Sequence, residues 1–206
     1  MGNDRALRIA RWASLAFIAG GLLMMVLWII YTNVHGPTTY DETRPVLGRT
    51  TLFWGMLLSA PPNLLVALGL ILLHPRLAQG ASRMASIGYT LALIGLLVPA
   101  VIDLIIGAIG PPFFVPVLGA GLILLALGSR YNPRIKRQNI NLLLLIGIFQ
   151  VIAFALALIP LEVSDPFGGY RVYGIFAHFL TGIGWIVLGV GMWKRPAGVA
   201  IEPVPN

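Results

Sequence analysis

Six stretches of this chain, roughly 12–31, 51–73, 84–109, 112–129, 140–160 and 172–193, hold one formally charged residue among them, Asp103. A helix needs about 20 apolar residues to cross a hydrocarbon core about 30 Å thick. Each stretch meets that length or comes near it, and the fourth is the shortest. A soluble domain carries about 25% charged residues, whereas this chain of 206 residues is 10% charged and 58% hydrophobic. So few charges cannot cover the surface of a water-soluble globule. Inside a bilayer the backbone must satisfy its own hydrogen bonds, which restricts long apolar runs to helices. The expected fold is therefore all-α: one polytopic membrane domain over 1–206, an integral bundle of six transmembrane helices. The run from Ala13 to Tyr31 exceeds the apolar core of a cleavable signal peptide, so it is expected to stay as an anchor. Ala6 stands where a myristoylation signal requires Ser or Thr.

The basic residues set the expected orientation. Arg5, Arg8, Arg11, Arg76, Arg83, Arg130, Arg134, Lys136, Arg137, Lys194 and Arg195 fall in segments on one side of such a bundle. Only Arg44, Arg49 and Arg171 fall on the other. Cytoplasmic loops are enriched in Lys and Arg, so both termini are expected in the cytoplasm. Short basic clusters between apolar runs suit anionic headgroups rather than nucleic acid, despite the net charge of +7. The simple charge bias fits the plasma membrane of a bacterium, its cytoplasmic (inner) membrane. Trp12, Tyr131 and Trp193 are expected at the inner interface, with Trp28, Tyr31, Trp54, Tyr170 and Tyr173 at the outer one, where amphipathic rings favour the headgroup level. The connection 32–50 is the longest and is expected to lie over the outer end. Gly110, Pro111 and Pro112 predict a tight turn before the fourth span.

Four spans each carry one strongly polar side chain away from their ends: Asn63, Asp103, Gln150 and His178. Facing lipid they would lose their hydrogen bonds, so they are expected to point inward. Small residues accompany them at helical spacing, as in Gly55–Ser59–Asn63–Ala67, Gly95–Pro99–Asp103–Gly107, Gly147–Gln150–Ala153–Ala157 and Gly174–His178–Gly182. Such spacing lets helices approach closely in a membrane. By helix rise, Asp103 and His178 both lie about 9 Å below the outer interface, where they are expected to be able to pair. Asn63 and Gln150 are expected deeper. Pro61 and Pro62 remove two successive backbone donors and predict a kink or break beside Asn63.

No chemistry-bearing motif accompanies this cluster. A G-x-S-x-G turn, an H-E-x-x-H pair and a G-x-x-x-x-G-K-[ST] loop are all missing, and the chain has no cysteine. Converging ligands for a metal and paired imidazoles for a haem are also missing. The expected class is thus a non-enzymatic bundle without cofactor or metal, for instance an accessory subunit meeting other membrane subunits or copies of itself. The competing class is a small transporter or a solute- or proton-binding protein, with Asp103, His178, Asn63 and Gln150 around an outward-facing polar cavity. Because the chain lacks cysteine, single-cysteine labelling is free of background. A cysteine at Lys136 and one at Ala200 should react with an impermeant maleimide only in inverted vesicles, and one at Asp41 only in intact cells.

Overall fold

A computed structural model describes residues 2–34, 47–78, 82–108, 112–133, 135–158 and 172–194. These residues form helices without strands: α1 (Gly2–Val34), α2 (Thr51–Ala78), α3 (Arg83–Ile106), α4 (Val115–Gly128), α5 (Arg137–Ala157) and a last rod, α6 (172–194). A single 3-10 turn, Pro112–Phe114, leads into α4. Five helices are long and apolar enough to cross a membrane, and Pro112–Gly128 is a shorter apolar helix. The protein is an integral, multi-pass membrane protein.

Burial follows the inverted logic of a lipid solvent. Leu15, Leu22, Val26 and Ile29 on α1 recur at helical spacing and are exposed, as are Ile87, Ile94, Val101 and Ile105 on α3. A stripe of exposed aliphatic residues is what a helix presents to acyl chains, where no aqueous penalty applies. The opposite faces are small or aromatic and turn inward.

Each helix packs chiefly against its neighbours in sequence, and α6 returns to pack along α1, closing a ring of six. Every neighbouring pair is antiparallel. Along α1 and α6, Ser14 meets Gly189, Gly21 meets Gly182, and Trp28 meets Gly174. Along α1 and α2, Phe17 meets Gly69 and Gly20 meets Pro62 and Val66. The guanidinium of Arg11 lies 5.8 Å from the ring centre of Trp193. The start of α1 and the end of α6 therefore share one end of the bundle, which we call the basic end.

Glycine allows the closest of these approaches. A Cβ on Gly88 would strike the backbone of Gly121, Leu124 and Leu125, and one on Gly121 would strike Leu91 and Ala92. Hence α3 and α4 touch backbone to backbone. One hydroxyl fastens their ends: Ser82 Oγ accepts from Ala85 N at 3.2 Å, capping α3, and donates to the Gly128 carbonyl at 2.9 Å.

Several expectations need correction. The helices extend beyond the expected spans by up to ten residues, since α1 starts at Gly2 and α2 runs on to Ala78. Polar flanking residues continue these helices beyond the apolar runs. The third span stops at Ile106, because Gly107 adopts φ +72° and its N–H returns to the Asp103 carbonyl at 2.8 Å. Of the kink or break expected at Pro61-Pro62, the break does not occur: α2 is helical through all three of its prolines. Lost ladder bonds there are outweighed by packing of Leu58, Ala60, Pro62 and Val66, all buried. Trp28 and Tyr173, expected as interfacial anchors, are buried, at 3% and 5% exposure. The turn at Gly110–Pro111, most of the 32–50 connection, Arg44, Arg171, Tyr170 and the tail from Arg195 lie outside the described residues.

Replacing Gly88 by Val should separate α3 from α4 and destabilise the bundle by about 1–3 kcal/mol or more, read as a lower melting temperature in detergent. An unchanged melting temperature would contradict the backbone contact.

Candidate functional site

A change in the core marks the level of interest. Toward the basic end one continuous apolar cluster draws on all six helices, including Phe17, Val66, Leu70, Leu96, Leu122, Ile146 and Trp185. Phe17 and Trp185 stack at its centre, 5.3 Å apart and 9° from parallel. Toward the other end the core divides into three separate clusters. These are Trp28 with Leu58, then Met56 with Ala60 and Ala100, and finally Ala153 with Tyr173 and Ala177.

The division falls where every helix is glycine-paired, proline-bearing or polar. The belt comprises Gly20-Gly21 on α1, Pro61-Pro62-Asn63 on α2, Pro99 on α3, Pro116 on α4, Gln150 on α5 and a π turn on α6. Contacts bring much of it to one level: Gly20 lies against Pro62, Gly21 against Gly182, and Gly119 against Gln150. Long aliphatic side chains cannot fill such a level evenly, so the core separates above it.

The π turn, Ile175–Leu180, is the best-defined part. A π turn replaces the usual ladder by longer i→i+5 bonds and leaves carbonyls in need of donors. Gln150 Nε2 donates to the Ala177 carbonyl at 3.0 Å and to Thr181 Oγ1 at 2.8 Å. Thr181 Oγ1 donates in turn to the Phe176 carbonyl at 2.8 Å. Two successive carbonyls are thus satisfied by side chains, and an amide on α5 holds a widened turn of α6 in place.

His178 sits within this turn and faces α1. Its ring stacks on the Trp28 indole, with centres 5.1 Å apart and 23° between planes, and meets the Tyr173 ring edge-on at 5.9 Å and 81°. Trp28 reaches this position because Gly174 has no side chain; a Cβ there would enter the indole. Both imidazole nitrogens are sealed from solvent, and neither has a hydrogen-bond partner among the described residues. An unsatisfied buried polar group costs about 1–3 kcal/mol. The surroundings therefore hold the ring rigidly while leaving its polar atoms unused.

The other two candidates occupy different walls. Asp103 is 2% exposed on α3, between α2 and α4. His178 is on α6, between α5 and α1. The two stand across the ring from each other, and the expected Asp–His pair does not form. Asn63 lies at the centre of the inward face of α2, flanked by buried Met56, Ser59, Ala60, Val66, Ala67 and Leu70. It is nevertheless only partly buried and makes no side-chain hydrogen bond among the described residues. Asn63 thus keeps part of its surface accessible although the residues one turn before and after it are buried. Pro61 and Pro62 add to its polarity, because neither can donate to the carbonyls of Leu57 and Leu58.

The expected depths also change. Helix rise alone sets Gln150 deeper than His178, yet Gln150 bonds to residues on either side of His178 and shares its level. The roles of Trp28, Tyr173 and Thr181 escaped the sequence reading. The signal for Trp28 was present in Gly174, a bare position one turn before His178. The π turn leaves no comparable mark in the sequence. Among the described residues, no group of three or more His, Asp or Glu converges as a metal site.

These features define a membrane-embedded helical ring, sealed by apolar packing toward one end and divided by a polar belt toward the other. Compared with known protein families, curated proteins and solved structures, the chain matches none.

Replacing Gln150 by Leu removes the donors to Ala177 and Thr181. Interhelical hydrogen bonds in membranes average about 0.6 kcal/mol, with a maximum of about 1.7, so a loss of about 1–2 kcal/mol is expected in reversible unfolding. Amide exchange at 176–182 should accelerate, while exchange at 185–192 should not.

Proposed function

We propose that this chain is a non-enzymatic, six-span membrane protein that binds a small molecule at the polar belt, from the side opposite the basic end. The basic end faces the cytoplasm of a bacterial cell, so both termini are cytoplasmic. The observation that carries the binding reading is the change in the core: continuous and apolar through one half, divided through the other, with the partly accessible Asn63 at the boundary. A purely structural bundle gains nothing from leaving an inward amide unpartnered, since filling that space with an aliphatic side chain would add packing contacts at no polar cost.

The topology has independent support. Nine of the fourteen Lys and Arg residues, namely Arg5, Arg8, Arg11, Arg76, Arg83, Arg130, Lys136, Arg137 and Lys194, belong to described segments at the basic end. The start of α1 and the end of α6 meet there, which an even number of crossings requires. The short helix α4 counts as a crossing, because its 14 residues and the preceding 3-10 turn span about 27 Å. It also lies along α3 from the Ala85–Gly128 contact to the Gly95–Leu118 contact.

The test is native mass spectrometry of the protein extracted from its own membrane in mild detergent. A small molecule should co-purify with the wild type, and its occupancy should fall when Asn63 is replaced by Leu. Preparations that carry no such molecule, or equal occupancy in Asn63→Leu, would count against binding at the belt.

A further inference from the structure

The basic end carries charge that the protein itself leaves unanswered. Arg8, Arg11, Lys136 and Arg137 are exposed there, and no carboxylate pairs with any of them among the described residues. The described residues hold two carboxylates, Asp4 and Asp103. Asp103 lies toward the other end, and Asp4 stands seven residues before Arg11, about 10 Å further out along α1.

Contacts gather these cations around the end of α6. The Arg11 guanidinium is held over the Trp193 ring, 5.8 Å from its centre. On the other flank, Gly191 lies next to the Asn139 side chain of α5. From there Trp193 is two residues on and Arg137 two residues back, and in antiparallel helices both steps lead about 3 Å toward the basic end. Arg11, Trp193 and Arg137 therefore share one level, with α6 between the two arginines. Lys136 begins α5 without a side-chain hydrogen bond, so the first amides of that helix add positive potential at the same place.

The level is that of lipid headgroups. Trp12, beside Arg11, is 65% exposed, as an amphipathic ring at an interface is. Exposed aliphatic residues begin one turn further in, at Leu15 on α1. Ile183 and Val187 continue the exposed aliphatic surface on α6, and Leu145 and Ile148 on α5. Two seams lined by such residues thus descend from the cationic level, one on each side of α6.

We propose that an anionic phospholipid with two phosphodiesters, of the diphosphatidylglycerol class, seats on this surface and straddles the end of α6. One phosphodiester meets Arg11 and Arg8, the other meets Arg137 and Lys136, and the acyl chains divide between the two seams. Basic surfaces between membrane helices suit such headgroups, and a guanidinium presents paired donors to phosphate oxygens. A lipid with a single phosphate reaches one flank only and leaves the cations of the other unpaired. The surface is separate from the polar belt, and every contact is made on the exposed face of the bundle.

The experiment is native mass spectrometry of the full chain, delipidated in detergent and titrated with defined lipids. Tetraoleoyl diphosphatidylglycerol should add saturably, one copy per chain. Dioleoylphosphatidylglycerol supplied at equal total charge should bind more weakly, and excess inorganic phosphate should not displace the bound lipid. Arg11→Gln and Arg137→Gln should each weaken binding about fivefold, the equivalent of about 1 kcal/mol per basic residue. Arg83→Gln removes a cation at the same end, at the start of α3 across the ring from α6, and should leave binding unchanged. Arg137→Gln decides alone should Arg11→Gln fail to fold. Equal affinity for the two lipids, displacement by inorganic phosphate, or an equal loss in Arg83→Gln would overturn the proposal, the last by showing that total charge rather than position attracts the lipid.

Discussion

Hydrocarbon accepts and donates no hydrogen bonds, so each polar group within this bundle must find a partner inside the protein or go without. Backbone groups solve the problem by helix formation. Ser14 returns its hydroxyl to the Ala10 carbonyl at 2.9 Å on its own helix. Ser82 and Gln150 instead reach neighbouring helices, and so become fasteners between them. Three side chains go without a partner among the described residues: the His178 imidazole, the Trp185 indole N–H and the Ser129 hydroxyl. The two rings among them are held by stacking, His178 on Trp28 and Trp185 on Phe17.

The same solvent removes the hydrophobic drive between helices, since a leucine side chain is as comfortable in lipid as in the core. Close packing must supply the cohesion, and glycine is the means. Gly88, Gly95, Gly121 and Gly128 bring α3 and α4 into backbone contact, Gly119 and Gly147 do so for α4 and α5, and Gly21 and Gly182 for α1 and α6. These contacts concentrate dispersion along narrow seams. They leave the centre of the ring to large side chains, Phe17 and Trp185, which fill the basic half. In the other half the stacked pair is Trp28 and His178, which lies between α1 and α6.

The fold was legible in the sequence to the extent that lipid imposes it. Apolar runs of bilayer length specify helices, and small residues beside Asn63, Asp103, Gln150 and His178 show which faces turn inward. Ring order was not legible, because Gly174 and Gly182 specify that something approaches α6 closely without saying which helix. For that reason Asp103 and His178, similar in depth, were expected to meet when they stand on opposite walls. The π turn was illegible as well. Its stability comes from Gln150, 27 residues before Ala177 in the chain, and a local pattern cannot carry so distant a cause. Trp28 was misplaced because its ring type favours interfaces on average, whereas here the bare backbone of Gly174 draws it inward.

Division of the core at the belt gives the molecule two unlike halves, and reactivity of buried cysteines probes that difference directly. Single cysteines at Asn63 and at Leu122, in a chain that has none of its own, would be exposed to a small water-soluble methanethiosulfonate from either side of sealed vesicles. The residue at 63 should react from the face opposite the basic end, and the residue at 122 should resist from both. Equal protection at the two positions, or reaction at 63 only from the basic side, would contradict a bundle closed at one end and open at the other.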